Sequence, residues 1–382
     1  MDMDTTSTGT TGLAWQRDPL PEARRATAAE IAARCRKPVF GTVMTEHIVT
    51  VDWTAEDGWH DARLRPYGPL EMDPAMVGLQ YGQVVFEGFK AFRHADGAVT
   101  VFRPTDHAHR FRNSARRLAL PEMPVELFLD AVRELVAADE RWVPAAPGQS
   151  LYLRPVLYAT TPSLALAPGD RCRFLLLAFV TETFFGADTP GVPVWITRRY
   201  TRAVAGGTGE AKCAGNYAAG MLAQQEAAEH GCSQVVWLDA VERRWVEEMG
   251  GMNLFFVYGR NESAQLITPP LSGTILPGVT RATLLELASD RGLTVAERRL
   301  SVENWRVDAE DGAMTEVFAC GTAAGVTPVT RVVCDDGEWT VGEGRIGPVT
   351  AALRDALVEA QRGGGADPRG WRMPVAAAGE RP

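Results

Sequence analysis

Apolar positions along the chain recur with two spacings, which predict helices in some segments and strands in others. Residues 125–138 carry apolar side chains at positions 125, 128, 129, 132, 135 and 136, the three-and-four spacing of an amphipathic helix. Similar patterns predict helices over 105–118, 280–289 and 349–361, and a further helix that Asn216 caps and that stops at Gly231. Short apolar or alternating runs predict strands over 47–53, 98–103, 150–159, 173–181, 234–238, 245–249, 253–258, 316–320 and 326–334. This alternation predicts an α/β fold.

A Gly/Pro-rich segment at residues 186–193 divides the chain into two predicted domains. A smaller N-terminal α/β domain covers 13–185, and a larger C-terminal domain with a flexible Gly-rich tail covers 194–382. Residues 1–12 are rich in Thr, Ser and Gly and are predicted to be disordered. A chain of 382 residues exceeds the size at which a single core stops growing, which also favours two domains.

Charge and cysteine usage exclude several classes of protein. The net charge is −9 and no basic stripe is present, so nucleic acid is not expected as a partner. The most apolar run, residues 174–180, is far too short to span a bilayer, and the polar first twelve residues do not resemble a signal peptide. Six scattered cysteines without a CxxC pair indicate a reducing cytoplasm and no zinc site. His107 and His109, two positions apart on a predicted helix, are predicted to be surface residues rather than metal ligands.

Lysine is rare in this chain, and one lysine lies in a peptide of mostly small residues. Three lysines stand against 36 arginines, and Lys212 lies between Gly206-Gly207-Thr208-Gly209 and Gly215-Asn216-Tyr217. Arginine serves equally well for surface charge, but it keeps its proton near neutrality and cannot form a Schiff base. The flanking glycines let a ligand approach the backbone closely. Lys212 is therefore a candidate for covalent chemistry on a carbonyl group, although a solvated loop lysine would show the same pattern.

Pyridoxal phosphate would need three groups besides the lysine, and the sequence offers candidates for each. A buried acid must keep the pyridine nitrogen protonated, and Glu248 ends an apolar strand, with Glu247 alternating to the opposite face. Backbone N–H groups for the phosphate are expected at Gly278-Val279-Thr280, where a helix starts, or at the turn Gly321-Thr322-Ala323. A fixed cation is expected from Arg110 or Arg202. An edge-strand carboxylate and ordinary glycine-threonine turns are the alternative interpretations.

A series of peptides carries a resemblance to one family. They are residues 81–92 (YGQVVFEGFKAF), 151–155 (LYLRP), 212–217 (KCAGNY), 234–239 (QVVWLD), 248–253 (EMGGMN), 276–281 (LPGVTR) and 316–323 (EVFACGTA). With these peptides in this order and spacing, the chain from about Phe40 to Trp371 resembles the branched-chain amino-acid aminotransferases, which are fold-type IV pyridoxal-phosphate enzymes. The resemblance implies a two-domain α/β fold with pyridoxal 5′-phosphate at the domain interface.

The same resemblance implies roles for individual residues around the cofactor. Lys212 resembles the catalytic lysine that forms the Schiff base, and Glu248 resembles the partner of the pyridine nitrogen. Tyr217 would donate a hydrogen bond to the 3′ oxygen of the cofactor. The residues that would bind the phosphate group are Arg110, Val279, Thr280 and Thr322.

Substrate-binding positions are implied as well: Phe40, Tyr81, Phe86, Tyr152, Arg154, Phe184, Gly251, Thr322 and Ala323. The turn Thr322-Ala323 would receive the substrate carboxylate, helped by Tyr81 from the neighbouring subunit of a homodimer. Arg154 would meet the distal carboxylate of glutamate. The chain departs from the family at Phe184, which lacks a tyrosine hydroxyl, and at Gly251, where animal enzymes have threonine. These departures put the preferred side chain in doubt.

The implied activity is reversible ping-pong transamination between an L-branched-chain amino acid and 2-oxoglutarate, which gives a branched 2-oxo acid and L-glutamate. The expected partners are small amino acids and 2-oxo acids, with neither nucleic acid nor a membrane. A D-amino-acid aminotransferase, an aminodeoxychorismate lyase and a cofactor-binding regulatory protein are the alternatives. The sequence leaves open which branched-chain amino acid is preferred, and whether the chain serves primary metabolism or a specialised pathway.

Overall fold

A computed structural model of the chain describes residues 7–8, 12–182, 189–260 and 264–375. The chain forms two compact units. The first unit contains Met1–Phe184, Ala211–Ala214 and Gln361–Pro382, and the second contains Phe185–Glu210 and Gly215–Ala360. This division differs from the predicted domains in two segments. Ala211–Ala214, which includes Lys212, and the segment from Gln361 onward both group with the first unit.

The described residues contain nineteen strands, which form two sheets. They are β1 (Ser7–Thr8), β2 (Ala14–Arg17), β3 (Val43–Thr54), β4 (Gly58–Pro66), β5 (Val84–Phe86), β6 (Phe89–Arg93), β7 (Val99–Phe102), β8 (Ser150–Ala159), β9 (Arg171–Thr181), β10 (Val192–Ile196), β11 (Gln234–Leu238), β12 (Val246–Met249), β13 (Met252–Tyr258), β14 (Gln265–Thr268), β15 (Thr294–Glu297), β16 (Met314–Gly321), β17 (Gly325–Cys334), β18 (Gly337–Thr340) and β19 (Arg372–Val375). Every strand predicted from the sequence is present.

Nine α-helices lie within the same described residues. They are α1 (Ala28–Arg34), α2 (Val77–Tyr81), α3 (Pro104–Arg117), α4 (Val125–Ala138), α5 (Ala214–Ala218), α6 (Met221–Glu229), α7 (Val279–Asp290), α8 (Val302–Glu310) and α9 (Pro348–Arg362). The bounds of α4 coincide with the predicted helix, because its apolar stripe is long and regular. No described helix is both long and apolar enough to cross a membrane.

The sheet of the first unit has ten strands in the order β1-β2-β4-β3-β9-β8-β6-β7-β19, with β5 paired to β8. At one end Ser7 and Thr8 pair with Trp15 and Ala14, although residues 1–12 were expected to be disordered. At the other end β19 pairs antiparallel with β7, although this segment was expected to be a flexible tail. The second pairing depends on a partner that a local sequence pattern does not reveal, because β19 lies far from β7 along the chain.

Aromatic side chains form the core of the first unit beneath α3 and α4. Phe128 of α4 lies 5.5 Å from Phe111 of α3, 5.7 Å from Phe89 and 6.0 Å from Phe174, measured between ring centroids. All four rings are buried. Rings of this size bury large apolar areas, so the cluster fixes α3 against the strands that carry the neighbouring peptide 84–89.

The second unit contains a closed barrel. The sheet runs β12-β11-β10-β17-β16-β13-β14-β15, and an additional pairing of β12 with β13 closes six of its strands into a ring. The enclosed core is made of apolar side chains such as Val194, Val236, Leu254, Phe256 and Val317. Closure removes the open edges of β12 and β13.

The structure differs from the prediction at Asn216, which was expected to cap a long helix. This residue lies inside the short helix α5 and does not cap a long helix. Its side-chain amide donates to the carbonyl of Thr208 and its oxygen accepts from the Thr208 hydroxyl, at 2.8 and 2.7 Å. Asn216 therefore fixes the glycine-rich loop that precedes Lys212, and α6 begins separately at Met221.

Candidate active site

The Lys212 peptide is held by the first unit through its backbone. The Lys212 N–H donates to the hydroxyl of Ser114 on α3 at 2.9 Å, and its carbonyl accepts from the Phe86 N–H at 3.0 Å. Cys213 forms an isolated bridge with Val85. These contacts explain why Ala211–Ala214 groups with the first unit. They fix the position of the Lys212 Cα, and its amine lies 5.0 Å from the centroid of the Phe86 ring.

Three aromatic rings form a compact wall in the first unit. Tyr152 stacks on Phe179 with centroids 4.9 Å apart, and Phe40 meets both rings edge-on at 5.1 and 5.0 Å. A Cβ atom at Gly88 would lie 1.9 Å from the Tyr152 hydroxyl oxygen. Only glycine therefore allows Tyr152 to keep this position.

Arg154 shares the Phe86 ring with Lys212. Its guanidinium carbon lies 5.0 Å from the Phe86 centroid and 5.6 Å from that of Tyr152. The side chain is half-buried, and its Nε is enclosed without a hydrogen-bond acceptor among the described residues. A cation held by ring faces, with a donor still unsatisfied, suits an anionic group of a ligand. The structure thus brings Phe40, Phe86, Tyr152, Arg154 and Lys212 together.

Arg110, predicted to bind phosphate, is fixed by a buried carboxylate. Its Nε and Nη2 donate to the two oxygens of Glu87 at 2.6 and 2.8 Å. His107 approaches the same carboxylate, with Nδ1 2.7 Å from Oε2. Glu87 is 0% exposed, and His107 is buried as well. The prediction that His107 is a surface residue is therefore wrong, because α3 turns this position toward the sheet; His109 is exposed as predicted.

Electrostatics keep this cluster in one charge state. Burial is the largest single influence and would favour the neutral acid, but the Arg110 charge, the contact with His107 and the hydrogen bonds from both residues together outweigh it. They hold the pKa of Glu87 well below its ordinary value of 4.5. The pair therefore contributes stability that is present above pH 4.5 and is lost as the pH falls toward the lower folded pKa. Burial lowers the pKa of His107, so the neutral ring donates Nδ1–H to Glu87.

Glu248 lies in the second unit and is 1% exposed. Its Oε1 accepts from the Leu276 N–H at 2.5 Å, and its Oε2 lies 3.2 Å from Nε of Arg202. Arg202, considered from the sequence as a phosphate cation, instead pairs with Glu248 and donates to the carbonyls of Thr274 and Gly209. Glu248 is thus a buried acid paired with a cation, the kind of group that suits a protonated ring nitrogen.

The neighbouring Glu247 departs from the predicted alternation. It is also buried and accepts from the Thr274 hydroxyl at 2.5 Å. The register between β11 and β12 shifts between Trp237 and Leu238, and this irregularity breaks the strict period of two. Burial raises the pKa of Glu247 above its ordinary value.

The start of α7 presents backbone donors to an anion. No described side chain caps this helix, whose first residues, Val279 and Thr280, are buried. A Cβ at Gly278 would lie 2.0 Å from the side-chain oxygen of Asn253, whose amide donates to the Leu276 carbonyl at 3.0 Å. The first N–H groups and the helix dipole suit a phosphate group. Leu276 therefore connects this helix start to Glu248 within one unit.

Tyr217 lies in a cavity of the second unit of about 370 Å³, lined by Arg202, Asn216, Tyr217, Gly220, Met221, Gln224, Gln234, Val235, Trp237, Gly250 and Gly251. A Cβ at Gly251 would meet the Tyr217 ring at 3.3 Å. A larger residue at 251 would thus press on Tyr217, so Gly251 gives room beside that ring. The Trp237 indole donates to the Gly250 carbonyl at 2.9 Å and fixes the other side.

The remaining predicted residues are more exposed. Thr322 and Ala323 are half-buried in the turn between β16 and β17, where Gly321 approaches Met252. Tyr81 is 47% exposed, and its hydroxyl donates to the Leu164 carbonyl at 2.6 Å. Phe184 lies outside the described residues. Within the described ranges, no three His, Cys, Asp or Glu side chains group as a metal site.

Three residues of this site carry no functional role in the sequence interpretation: Glu87, His107 and Ser114. Glu87 gives a signal that could have found it, because it is a charged residue inside the apolar run VVFEGF. Ser114 gives none, since nothing local indicates that its hydroxyl meets the backbone of Lys212.

Comparison with known proteins identifies the family. Residues 84–332 match the model of the amino-transferase class IV family. The branched-chain-amino-acid aminotransferase of Mycolicibacterium smegmatis is 54% identical over 335 residues, which cover 87% of this chain and 91% of that protein.

Solved structures show the same fold. The crystal structure of the Escherichia coli branched-chain amino acid aminotransferase matches with a TM-score of 0.71 and 27% identity, over 87% of this chain and 100% of that one. The T.th. branched-chain amino acid aminotransferase complexed with N-(5′-phosphopyridoxyl)-L-glutamate matches with a TM-score of 0.67 and 28% identity, over 85% and 98%. The chain therefore belongs to the class IV amino-transferase family, as its motifs predict.

Proposed function

We propose that this protein is a pyridoxal-phosphate-dependent branched-chain-amino-acid aminotransferase. The observation that carries the proposal is the shared Phe86 ring, which has the Lys212 amine and the Arg154 guanidinium each 5.0 Å from its centroid. A lysine suited to carbonyl chemistry and a cation suited to a distal carboxylate thus flank one apolar surface. The relatives named above favour this activity over a D-amino-acid aminotransferase, a lyase or a regulatory protein.

The residues present fit the cofactor. The α7 start, uncapped by any described side chain, supplies N–H groups for a phosphate, and Gly251 and Tyr217 line a cavity of about 370 Å³. Glu248, a buried acid in contact with Arg202, suits a pyridinium nitrogen. A related enzyme binds a phosphopyridoxyl group joined to L-glutamate, which is the cofactor and amino acid expected here.

The chain's own residues divide the work of transamination. When bound, the cofactor supplies an electron sink that makes the α-proton of the amino acid acidic. The Lys212 amine would remove that proton from Cα and later return it to the cofactor, acting as base and then as acid. Ser114 and Phe86 fix the backbone of Lys212, so its amine moves only by rotation of its own side chain. Glu248 holds the proton on the ring nitrogen.

One pocket must receive both an aliphatic side chain and the distal carboxylate of glutamate. Phe40, Phe86 and Tyr152 supply apolar surface for valine, leucine or isoleucine. Arg154 supplies the positive charge for glutamate and 2-oxoglutarate. Because its guanidinium rests on two rings, it stays stabilised when the aliphatic substrate is bound.

A homodimer in a reducing cytoplasm completes the proposal. All six cysteines are free thiols. Near Tyr81 the first unit exposes a group of apolar side chains, Met72, Leu79, Leu164 and Leu166. An exposed apolar group of this kind marks an interaction surface, and a second copy of the chain is the partner that would place Tyr81 beside a neighbouring site.

The first prediction concerns the covalent residue. Borohydride reduction of the cofactor-loaded protein should fix the cofactor irreversibly to the Lys212 peptide, as read by peptide mapping. Lys212→Ala should still bind the cofactor without a covalent bond and should lose turnover, because the proton shuttle is gone. Lys90 is the internal control. Burial and the nearby Arg362 lower its pKa to about 8, so part of its amine is neutral near that pH and could react as well. Labelling of Lys90 or Lys37 instead of Lys212 would contradict the assignment.

The second prediction concerns the ring nitrogen. Glu248→Gln should lower kcat by ~10²–10³ and change cofactor affinity far less, because a neutral amide cannot stabilise the pyridinium charge. Glu247→Gln is the matched control: it is buried on the same strand, and its amide oxygen can still accept from Thr274. Stopped-flow half-reactions give the rate constants of the two variants. Equal losses from the two substitutions would show that Glu248 has no special role.

The third prediction concerns substrate choice. Arg154→Met should raise the KM for glutamate and 2-oxoglutarate by roughly tenfold or more, the loss expected for a charge-assisted hydrogen bond. The half-reaction with isoleucine should barely change. Arg173→Met is the control, because it removes an arginine that is paired with Asp52 on the same sheet. It should leave the ratio of the KM for glutamate to the KM for isoleucine unaltered. If both half-reactions of Arg154→Met fall together, this residue does not select glutamate.

The fourth prediction concerns assembly. Light scattering should give about twice the chain mass of 41.5 kDa. Leu166→Glu, at a side chain 88% exposed, should shift the mass toward one chain, because it places charge in an apolar contact. Val241→Glu, at a similarly exposed position of the second unit, should not. A wild-type protein that is monomeric at micromolar concentration would refute this surface as a dimer contact.

A further inference from the structure

We propose that Glu87 is a positioning residue for the phosphate group of the cofactor, acting through Arg110. The inference rests on the proposed function, because it takes Arg110 as a phosphate-binding residue. Glu87 touches neither substrate nor cofactor in this assignment. Its role is to set the plane of the Arg110 guanidinium.

The geometry of the pair supports this role. Glu87 accepts from Nε and Nη2 of Arg110, so both of its oxygens engage one edge of the planar guanidinium. A bidentate contact of this kind fixes the plane of the group and therefore the direction of its remaining nitrogen, Nη1. Because both side chains are buried, solvent does not compete for the contact.

His107 reinforces the orientation. Its Nδ1 lies 2.7 Å from Oε2 of Glu87 and 3.4 Å from Nη2 of Arg110, and its ring stacks on Phe89 at 5.0 Å. The Gly88 N–H also donates to Oε2 of Glu87 at 3.0 Å. The carboxylate is thus held by groups on α3 and on its own peptide, so it cannot rotate away from Arg110.

The tripeptide 86–88 carries this orientation to the other site residues of the first unit. Phe86 donates to the Lys212 carbonyl and lies under the Lys212 amine. Gly88 lies against the Tyr152 hydroxyl. Between them, the Glu87 N–H donates to the Pro155 carbonyl at 2.8 Å. The buried charge of Glu87 therefore fixes Arg110 of α3 against the tripeptide 86–88, which also contacts Lys212 and Tyr152.

The test measures how much the phosphate contributes to binding. The full-length protein, freed of cofactor, is titrated with pyridoxamine 5′-phosphate and with pyridoxamine, neither of which bonds covalently to Lys212. The ratio of the two Kd values is the phosphate contribution. Glu87→Gln should reduce this ratio by about tenfold, the loss of one charge-assisted contact, because its amide turns a donor toward Arg110. A merely structural role would weaken both ligands equally and leave the ratio unchanged.

A double variant tests whether Glu87 acts through Arg110. Arg110→Gln should reduce the ratio at least as much as Glu87→Gln, and the double variant should match Arg110→Gln within about twofold, because both substitutions remove one interaction. Additive losses in the double variant would overturn the proposal. Glu134→Gln is the control for stability, since Glu134 forms a similar bidentate pair with Arg17 in the same unit. It should lower the thermal unfolding midpoint and leave the ratio unchanged.

Glu87→Asp keeps the test decisive if Glu87→Gln does not fold. It retains the charge but withdraws the carboxylate by one methylene, so the phosphate contribution should still fall severalfold. A wild-type ratio in Glu87→Asp, or in a folded Glu87→Gln, would overturn the inference. If the wild-type protein itself binds neither ligand and shows no transamination of isoleucine, the proposed function fails instead.

Discussion

Glu87 is ionised and fully buried between β5 and β6, and it persists there because Arg110 meets it with two hydrogen bonds and His107 with a third. A buried charge without a partner would be far more costly than the pair, so neither residue can be exchanged alone without an uncompensated charge. The pair joins α3 to the peptide that follows β5. The same α3 supplies Ser114 to the backbone of Lys212. The position of the candidate catalytic lysine is therefore tied to an interaction whose cost of disruption is electrostatic.

The second unit also contains a buried acid, and different groups compensate it. Its buried acid, Glu248, is compensated by Arg202 and by one backbone N–H, that of Leu276. Leu276 is also bound through its carbonyl to Asn253, and three residues later α7 begins. The short segment from Leu276 to Val279 thus fixes the spacing between Glu248, which suits a ring nitrogen, and the start of α7, which suits a phosphate group. Barrel closure holds β12 and β13, which carry Glu248 and Asn253, in register.

The sequence alone predicts the local elements and the family, but not the long-range contacts. The bounds of α4 follow from a regular apolar stripe, and the aromatic and cationic residues Phe40, Phe86, Tyr152 and Arg154 are found together with Lys212. Glu247 is missed because a register irregularity breaks the alternation. His107 is missed because its partner, Glu87, lies 20 positions away on another element. Information of that kind is in the pairing of elements and not in any single window of sequence.

The assignment of β19 and of Ala211–Ala214 to the first unit has a consequence for synthesis of the protein. When the ribosome has made residues 1–184, β7 still lacks its outer neighbour and β5 lacks the peptide that pairs with it. Ala211–Ala214 follows once Phe185–Glu210 has been translated, but β19 arrives only after all of the second unit has been made. The nascent first unit must therefore wait with an unpaired edge strand, a form open to wrong pairing with other chains, until its last strand emerges.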